Sequence, residues 1–367
     1  MARLHLLTVF TSTPAAKYSH CAFQGRCSRF GKMMIPFGHE VIEYSNAGTE
    51  AESTEHVEIL DAETLERLRA LYKIEQPHEA ASTDSTIYRE FDAKLKEELA
   101  KRVKPGDIIC HPFGIAHADL GSLFPQARHV EIGIGYTQCA FPLRIYETYT
   151  WWAWHQGKEQ AAGNAYQWVC PMMYDTDDWE PSYEDGKYLL YFGRVIECKG
   201  LQIVKEIARN VDMPVKVVGE STPEWLEAFL SDAPKNLTYH GPVTGKDRSE
   251  LLRGAYAMLM PTLYTEPFGG AGVEGQLCGT PLLASDYGAF SETVDHGYSG
   301  YRCKTLGDWL QAIRNVKNLN RRAIASNARA KYSLQNVGQQ MDKIMRQIEN
   351  LEDKGWYSVE PSDAIWM

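Results

Sequence analysis

The pattern of apolar and polar residues predicts alternating strands and helices in the first half of the chain. Residues 3–10 (RLHLLTVF) are typical of a buried strand, CAFQGRCSRFGKMM has the apolar spacing of a helix, and HEVIEY predicts a second strand. Residues 61–72 and 88–102 then combine helical spacing with a charged face. Short apolar strands separated by helices indicate a parallel sheet that is covered on both faces.

The same alternation begins again in the second half of the chain. DGKYLLYFGRV predicts a turn and a strand, LQIVKEIARNV an amphipathic helix, and MPVKVVGE the next strand. NLTYHGPV and AYAMLMPT predict two further strands. The two series together predict an α/β chain with two Rossmann-like domains.

An acidic stretch that contains proline and aromatic residues, residues 171–187, separates the two halves and suits a connection between domains. We place the boundary near Asp178. This choice gives an N-terminal domain over residues 1–177, a C-terminal domain over residues 178–345 and a tail over residues 346–367.

Length and composition agree with two globular domains. The 367 residues suffice for two cores, and 44% hydrophobic with 23% charged residues excludes a largely disordered or fibrous chain. The 38 basic and 48 acidic side chains give a formal net charge of −10. This balance argues against a protein built for non-specific nucleic-acid binding.

The eight cysteines are scattered, without a CxxC pair or a Cys/His set at zinc-finger spacing. This pattern favours a reducing, cytoplasmic location over a disulfide framework or structural zinc. No uncharged apolar stretch approaches the ~18–20 residues that span a bilayer, so we expect no integral membrane segment. His5 interrupts the opening apolar run and no convincing cleavage site follows, so we interpret the run as a strand rather than as a signal peptide.

The literal GxGxxG pattern at Gly270–Gly275 is weak evidence for dinucleotide binding. A dinucleotide-binding domain would place it in its first strand-to-helix turn, with an acidic residue about 20 positions further on. Here the pattern lies deep in the second half, and the nearest downstream acid, Asp286, comes too early. We therefore do not favour a nicotinamide site.

Asp175, Thr176 and Asp177 form a DxD of the kind that holds a divalent cation against a nucleotide diphosphate. They lie beside Asp178 and Glu180, so a solvated run of charge explains them as well. We favour the charge run, predict no metal ligands and keep the DxD as an alternative.

Two cations and two acids of the second half form a more informative constellation. Arg194 and Lys199 follow its first strand, at the predicted start of a helix, where Gly193 allows close backbone approach. A helix N-terminus carries about half a positive charge, so this turn predicts an anion site. Glu266 and Glu274 flank a glycine-rich turn, where acids can accept hydrogen bonds from sugar hydroxyls.

From Tyr188 to Arg302 the sequence resembles the donor-binding domain of family 4 of the retaining glycosyltransferases, whose fold is GT-B. The resemblance implies two Rossmann-like α/β/α domains that face each other across a cleft. It also implies that the C-terminal helix, from about residue 335, and the tail 346–367 cross back to the N-terminal domain. The matching stretches follow the family's order: GRVIECKG, VKVVGE, LTYHGPV and AYAMLMPTLYTEPFGGAGVEGQLCGTPLLASDYGAFSETVDHGYSGY.

The resemblance also implies roles for the constellation. Arg194 and Lys199 would contact the donor diphosphate, Glu274 would bind the ribose hydroxyls and Glu266 would bind hydroxyls of the transferred sugar. The segment from His240 to Val243 would border the base. The residues whose backbone would line the donor are Gly193, Gly241, Val243, Phe268, Gly269, Gly270 and Ala271.

The sequence departs from the family's pattern at two places. Relatives carry a glycine-rich loop after the first strand, whereas TSTPAAKYSHCAF lacks those glycines. The family's double glycine before a late Glu is Gly288 and Ala289 here, a mild departure that we expect the fold to tolerate.

Relatives often place a histidine near the reacting sugar, after a strand in the middle of the N-terminal domain. His111 in DIICHPFG occupies that position, and a purely structural role is the alternative. His20, His117 and Asp119 are weaker candidates.

The resemblance implies a hexosyltransferase that moves a sugar from a UDP- or GDP-sugar to a hydroxyl acceptor with retention of anomeric configuration. No metal or other cofactor is expected, because cations and a helix N-terminus can neutralise the leaving diphosphate. Front-face attack is expected because no enzyme nucleophile is evident. Two alternatives stay open: a non-catalytic protein that binds nucleotide sugars or nucleic acid, and a metal-dependent transferase that uses Asp175 and Asp177.

The acceptor is suggested only by local charge and by aromatic residues. Residues 1–39 contain five cations and no acid, which suits a phosphate-bearing acceptor such as a lipid-linked sugar, a nucleotide or a modified DNA base. A helix face balanced by acids elsewhere is the alternative. The aromatic residues Tyr146, Tyr149, Trp151, Trp152 and Trp154 could stack on a sugar or base, although such clusters more often pack in a core. The five cations are Arg3, Lys17, Arg26, Arg29 and Lys32.

Overall fold

The computed structural model describes residues 2–9, 22–72, 86–160 and 166–351. The chain forms two compact units, each built around its own parallel sheet. Of the described residues, the first unit contains 2–9, 22–72, 86–147, 166–174 and 334–351, and the second contains 148–160 and 175–333.

Seven strands form the sheet of the first unit and six form that of the second. Those of the first unit are β1 Arg3–Leu7, β2 Glu40–Ser45, β3 Glu55–Glu58, β4 Ile108–His111, β5 Arg128–Ile134, β6 Leu143–Tyr146 and β7 Gln167–Val169. Those of the second are β8 Leu189–Phe192, β9 Val215–Val218, β10 Leu237–Tyr239, β11 Ala257–Met260, β12 Leu282–Ser285 and β13 Gly300–Cys303.

Helices connect the strands and cover the faces of both sheets. They are α1 Ala22–Met34, α2 Ala62–Tyr72, α3 Thr86–Arg102, α4 Leu120–Leu123, α5 Tyr149–Glu159, α6 Leu201–Arg209, α7 Pro223–Leu230, α8 Gly245–Arg253, α9 Gly270–Leu277, α10 Phe290–Thr293, α11 Leu306–Asn315, α12 Arg321–Tyr332 and α13 Leu334–Glu349. Of the helices in the described ranges, none combines the length and the apolar character needed to cross a bilayer.

Both sheets are parallel and doubly wound, which confirms the prediction of two Rossmann-like domains. The first runs β3-β2-β1-β4-β5-β6-β7 and the second β10-β9-β8-β11-β12-β13. The strand order reverses between β1 and β4 in the first sheet and between β8 and β11 in the second. Ligands of such sheets bind beyond the carboxyl ends of the strands at this switch point. Every residue of β8 (LLYF) and β11 (AMLM) is buried, because both faces of the sheet are covered.

The C-terminal helix α13 packs on α1 in the first unit. Its apolar residues recur at helical spacing, and Val337, Met341 and Ile344 join the core of that unit. Gly338 allows the close approach, because a Cβ there would lie 2.5 Å from the Phe37 ring. This amphipathic face returns the chain to the first unit at Leu334, close to residue 335, where the returning helix was predicted to begin. The C-terminal domain therefore ends before the predicted residue 345.

Residues 148–160 belong to the second unit, although the sequence assigned them to an N-terminal domain that ended at residue 177. The Thr148 hydroxyl donates to the Pro267 carbonyl at 2.8 Å. The Glu292 carboxylate accepts from the first backbone N–H groups of α5 at 2.9 and 2.7 Å. These bonds cap α5 against the second unit, whose main segment begins at Asp175 rather than at Asp178.

The predicted aromatic cluster is divided by this arrangement. Tyr146 ends β6 and is fully buried in the first unit, and Trp151 is buried and stacks on Trp154 at 4.5 Å in the second. Tyr149, by contrast, is 65% exposed at the start of α5. Core packing therefore accounts for Tyr146 and Trp151.

Arg321, at the start of α12, joins several backbone segments of the second unit. Its buried guanidinium donates to the carbonyls of Ser182, Arg253 and Ala255 at 3.2, 3.0 and 3.1 Å. It also donates to the Thr280 hydroxyl at 3.0 Å. One side chain thus provides hydrogen-bond donors for the last carbonyl of α8 and for the carbonyl of Ala255, which precedes β11.

Arg321→Met should lower the free energy of unfolding of the second unit by about 3 kcal/mol, because several buried acceptors lose their donor at once. Urea unfolding followed by tryptophan fluorescence measures the loss. The control is Arg322→Met, since the neighbouring guanidinium is exposed and lies 4.1 Å from the centroid of the Tyr183 ring. A loss of less than about 1 kcal/mol is expected there. Equal losses in the two variants would contradict the role of Arg321.

Candidate functional site

The switch point of the second sheet brings together the loops that follow β8 and β11. Lys199 lies in the first loop and Glu266 in the second. Because β8 and β11 are neighbours in the sheet, their carboxyl ends open on the same side. Residues distant in sequence therefore meet there.

Backbone contacts hold the loop after β8 in place. The Tyr191 hydroxyl donates to the Arg194 carbonyl at 2.6 Å. Lys199 ends a single 3-10 turn, and Gly200 follows in the left-handed region with φ 75°. A Cβ on Gly200 would lie 1.9 Å from the Pro261 carbonyl oxygen, so only glycine lets the two loops approach this closely.

Lys199, Tyr264 and Glu266 form a cluster where the two loops touch. The Lys199 Nζ lies 2.7 Å from the Glu266 Oε2 and 2.8 Å from the Tyr264 hydroxyl. Only 13% of the lysine side chain and 11% of the glutamate side chain are exposed, so solvent screens the pair weakly. Burial and the Glu266 charge raise the pKa of Tyr264 well above its usual value, and its phenol stays protonated.

Sequence reasoning placed Lys199 and Glu266 at different parts of a ligand and did not identify Tyr264. The structure shows the cation and the acid in direct contact. The signal for Tyr264 was its position two residues before Glu266 in the loop after β11.

Arg194 is exposed, and its guanidinium makes no hydrogen bond or ion pair with the residues that the structure describes. It lies in the same connection between β8 and α6 as Lys199. The two predicted cations therefore share one region, and Arg194 is the more accessible of them.

The turn at Gly288 supports the loop that carries Glu266. The Ala289 N–H donates to the Glu266 carbonyl at 3.1 Å. Gly288 has φ 64°, and a Cβ there would lie 3.1 Å from the Glu266 nitrogen. Ala289 is fully buried with ordinary helical backbone angles, so its replacement of the family's second glycine is tolerated, as predicted.

The glycine-rich segment after Glu266 begins α9. Phe268 is buried against the Tyr332 ring, and Gly269 caps the helix with φ 79°, where a Cβ would lie 2.7 Å from the Phe290 ring. Gly270 and Ala271, in the first turn, are half-buried. The first turn of α9 is thus partly open, as an anion site requires.

The later glycines of the GxGxxG pattern serve packing. A Cβ on Gly272 would lie 2.5 Å from Leu282, and one on Gly275 would lie 2.1 Å from the Met258 sulfur. These residues allow α9 to lie directly on β11 and β12. The pattern therefore has a structural explanation in this chain.

Three glycine turns follow β8, β9 and β10 side by side. The Gly193 N–H donates to the Val218 carbonyl, and the Gly219 N–H donates to the Gly241 carbonyl, both at 2.9 Å. A Cβ on Gly219 would lie 1.8 Å from the Gly193 carbonyl oxygen. Gly241 has φ 69° with open space around it, and Val243 is half-buried. Gly219 was not predicted, although it directly follows a strand.

Glu274, on α9, is buried in an ion pair with Arg248 of α8. The Arg248 guanidinium also lies 4.7 Å from the centroid of the Phe192 ring. Sequence reasoning did not select Arg248, because an arginine within KDRSELL reads as an ordinary surface helix position.

His111 ends β4 at the switch point of the first sheet and is fully buried. Its ring stacks on Phe141 at 4.2 Å, and its Nε2 lies 3.0 Å from the His129 Nδ1. The His129 Nε2 donates to the Phe124 carbonyl at 3.1 Å, so His111 donates to His129. Burial lowers the pKa of His111 well below its usual value, which keeps the ring neutral. This setting supports the structural alternative rather than contact with a sugar.

The weaker candidates of the first unit also have structural partners. The His117 Nε2 donates to the Thr8 carbonyl at 2.9 Å and its Nδ1 faces Asp92. Asp119 pairs with Lys96. His20 and most of the glycine-poor loop lie outside the described residues.

The predicted basic surface of residues 1–39 is partly neutralised. Arg3 pairs with Glu40 and Asp107 at 3.1 and 2.8 Å, and Arg26 is buried in an ion pair with Glu147. Acids elsewhere thus balance these two cations, as the alternative stated. Lys17 lies outside the described residues, Arg29 lies over the Tyr174 ring, and Lys32 lines a cavity of about 430 Å³ with Met33, Pro36, Phe37 and Leu334.

The DxD has a local structural role. The Asp175 carboxylate accepts from the Asp177 N–H at 3.2 Å and caps a 3-10 turn. Arg329 of α12 donates to the Thr176 carbonyl at 3.1 Å. Among the residues described, no third Asp, Glu, His or Cys completes a metal-ligand group with Asp175 and Asp177.

Residues 175–332 match the family described as Glycosyl transferases group 1. The match covers nearly all of the main segment of the second unit. It agrees with the resemblance found from Tyr188 to Arg302.

Curated relatives match part of the chain. The D-inositol 3-phosphate glycosyltransferase of Pseudarthrobacter chlorophenolicus is 29% identical over 140 residues, which cover 34% of this chain and 33% of that protein. The phosphatidyl-myo-inositol mannosyltransferase of Mycobacterium leprae is 28% identical over 183 residues, which cover 46% and 48%. The chain thus spans a third to a half of the length of these relatives.

Solved structures match nearly the whole chain. AviGT4, a glycosyltransferase involved in avilamycin A biosynthesis, has a TM-score of 0.73 over 95% of this chain and 98% of its own, at 16% identity. HepE of Anabaena, in complex with UDP and glucose, has a TM-score of 0.65 over 94% and 99%, at 14% identity. At these identities the likeness establishes the fold, and the predicted GT-B fold is confirmed.

Gly200→Ala should separate the two loops of the site. The substitution adds strain at a positive φ, about 1 kcal/mol, and a clash with the Pro261 carbonyl. The control is Gly297→Ala, because Gly297 has φ 80° and no atom near the place of a Cβ. Thermal unfolding should show at least about 2 kcal/mol more destabilisation for Gly200→Ala than for the control. Equal destabilisation would show that the approach of the loops is not required.

Proposed function

We propose that this chain is a retaining glycosyltransferase that moves a hexose from a UDP- or GDP-sugar to a hydroxyl acceptor without a metal ion. The observation that carries the proposal is the cluster of Lys199 and Glu266 at the switch point of a group 1 glycosyl transferase domain. Arg194 and the first turn of α9 add positive charge to the same carboxyl edge of the sheet.

The cations are suited to the leaving group. A nucleoside diphosphate gains negative charge as the glycosidic bond breaks, and fixed positive groups stabilise that charge without reorganisation. Arg194 can bind the diphosphate directly because it is exposed and unpaired in the described part of the chain. Lys199 is oriented toward the same region by Glu266 and Tyr264.

Glu266 is suited to the sugar. Its Oε2 is bound to Lys199, and a carboxylate has further lone pairs that can accept from sugar hydroxyls. Neither Lys199 nor Glu266 is positioned as a nucleophile with a separate base. We therefore expect attack from the face that the diphosphate leaves, with a phosphate oxygen as the base. This course retains the anomeric configuration.

The acceptor that we propose carries a phosphate. The names of two relatives, an inositol 3-phosphate glycosyltransferase and a phosphatidyl-myo-inositol mannosyltransferase, support this class. Residues 1–39 contribute less than their composition suggested, because acids neutralise Arg3 and Arg26. Inositol phosphates are accordingly the first acceptors to test, ahead of nucleotides or modified DNA bases.

Donor hydrolysis and transfer separate this proposal from its alternatives. The purified chain is incubated with a panel of UDP- and GDP-sugars, with and without inositol 3-phosphate, in EDTA or in Mg²⁺. Turnover in EDTA with a retained anomer supports the proposal. Turnover that requires Mg²⁺ would favour the Asp175 and Asp177 alternative, and binding without turnover would favour a non-catalytic protein.

Arg194→Ala and Lys199→Ala should each lower turnover by roughly 10² to 10³, the loss that follows removal of one preorganised electrostatic contact. The control is Arg209→Ala, because Arg209 is at the other end of α6 in an exposed pair with Asp232. Steady-state kinetics should show near-normal turnover for the control. A Lys199 variant with the same turnover as the control would remove Lys199 from the mechanism.

A further inference from the structure

We infer that Arg248 is a positioning residue that holds the Glu274 carboxylate oriented toward the ribose of the donor. The inference rests on the proposed function, which assigns the ribose hydroxyls to Glu274, and it adds a residue and a test. Arg248 lies on α8, 26 positions before Glu274 on α9, and only the packing of the two helices brings the pair together.

Arg248 and Glu274 form a buried ion pair. Only 7% of the Arg248 side chain and 9% of the Glu274 side chain are exposed, and the Arg248 Nη2 donates to the Glu274 Oε2. A buried carboxylate needs a well-placed cation to offset its lost hydration. The arginine therefore holds the acceptor oxygens of Glu274 in place.

Aromatic rings fix the direction of the guanidinium. The Arg248 Cζ lies 4.7 Å from the centroid of the Phe192 ring and 5.9 Å from that of Trp179. Phe192 ends β8 and directly precedes Gly193, so the pair lies beside the carboxyl edge of the sheet. Beside these rings, the Nη2 end of the guanidinium donates to Glu274. Arg248 makes no other ion pair with the residues described.

A purely structural explanation is weaker. A buried arginine and glutamate can often be replaced by apolar residues of similar size without loss of stability, so the fold alone gives little reason for the pair. The Arg248 Nε is also buried without a hydrogen-bond partner in the described part of the chain. A buried arginine that served only stability would be expected to have all of its N–H groups hydrogen-bonded.

The test is a double-mutant cycle with ribose as its probe. Binding of UDP, GDP, dUDP and dGDP is measured by calorimetry for the wild type, Arg248→Met, Glu274→Gln and the double variant. The 2′-deoxy nucleotide of the preferred base should bind the wild type about 10-fold more weakly than the ribonucleotide. Arg248→Met and Glu274→Gln should each largely abolish this discrimination.

The double variant separates positioning from direct contact. Glu274→Gln removes the charge that Arg248 neutralises, so the double variant should fold even where Arg248→Met alone does not. If Arg248 acts through Glu274, the double variant binds nucleotide within about 3-fold of Glu274→Gln. A further 10-fold loss in the double variant would show that Arg248 contacts the nucleotide itself and would overturn the inference.

Two further variants complete the design. Arg248→Lys keeps the charge and should retain most of the discrimination. The control is Arg253→Met, on the same helix as Arg248, which removes an exposed ion pair with Glu180 and should behave as wild type. For turnover, Arg248→Met should raise KM for the donor with kcat within about 3-fold, because ribose binding is uniform along the reaction. Wild-type protein that binds neither UDP nor GDP would overturn both proposals. Normal binding with unchanged discrimination in Arg248→Met would overturn this one alone.

Discussion

The candidate site of the second unit depends on the contact between the loop after β8 and the loop after β11. Gly200 makes this contact possible, because any side chain there would meet the Pro261 carbonyl. Where the two backbones touch, the Lys199 side chain lies against Tyr264 and Glu266. The close approach at Gly200 therefore allows Lys199 and Glu266, which are 67 positions apart in sequence, to form a hydrogen bond.

Each acid of the candidate site lies against a cation. Glu266 is paired with Lys199 and Glu274 with Arg248, both with little exposure to solvent. Each of these carboxylates thus has the paired cation that a buried charge requires. Arg194 is the exposed cation of the candidate site.

In the first unit, two residues of types common in functional sites have structural partners. His111 and Arg26 have the residue types of a functional site, yet each is buried with a partner of its own: His111 against His129 and Phe141, and Arg26 against Glu147. A parallel sheet places such residues beside its carboxyl edge whether or not they bind a ligand. The burial of such a residue and its hydrogen-bond partners, rather than its position in the fold, distinguish a structural residue from one that can bind a ligand.

The sequence by itself determined the two doubly wound domains, the positions of most central strands and the choice of Arg194, Lys199, Glu266 and Glu274 as candidate site residues. These features are local: apolar runs, helical spacing and glycines at strand ends follow from neighbouring residues. Only the tertiary structure decided that Lys199 bonds Glu266, that Arg248 holds Glu274, that α5 joins the second unit and that α13 returns to the first. Each of these depends on which surfaces pack together, and packing joins residues whose separation in sequence carries no periodic signal.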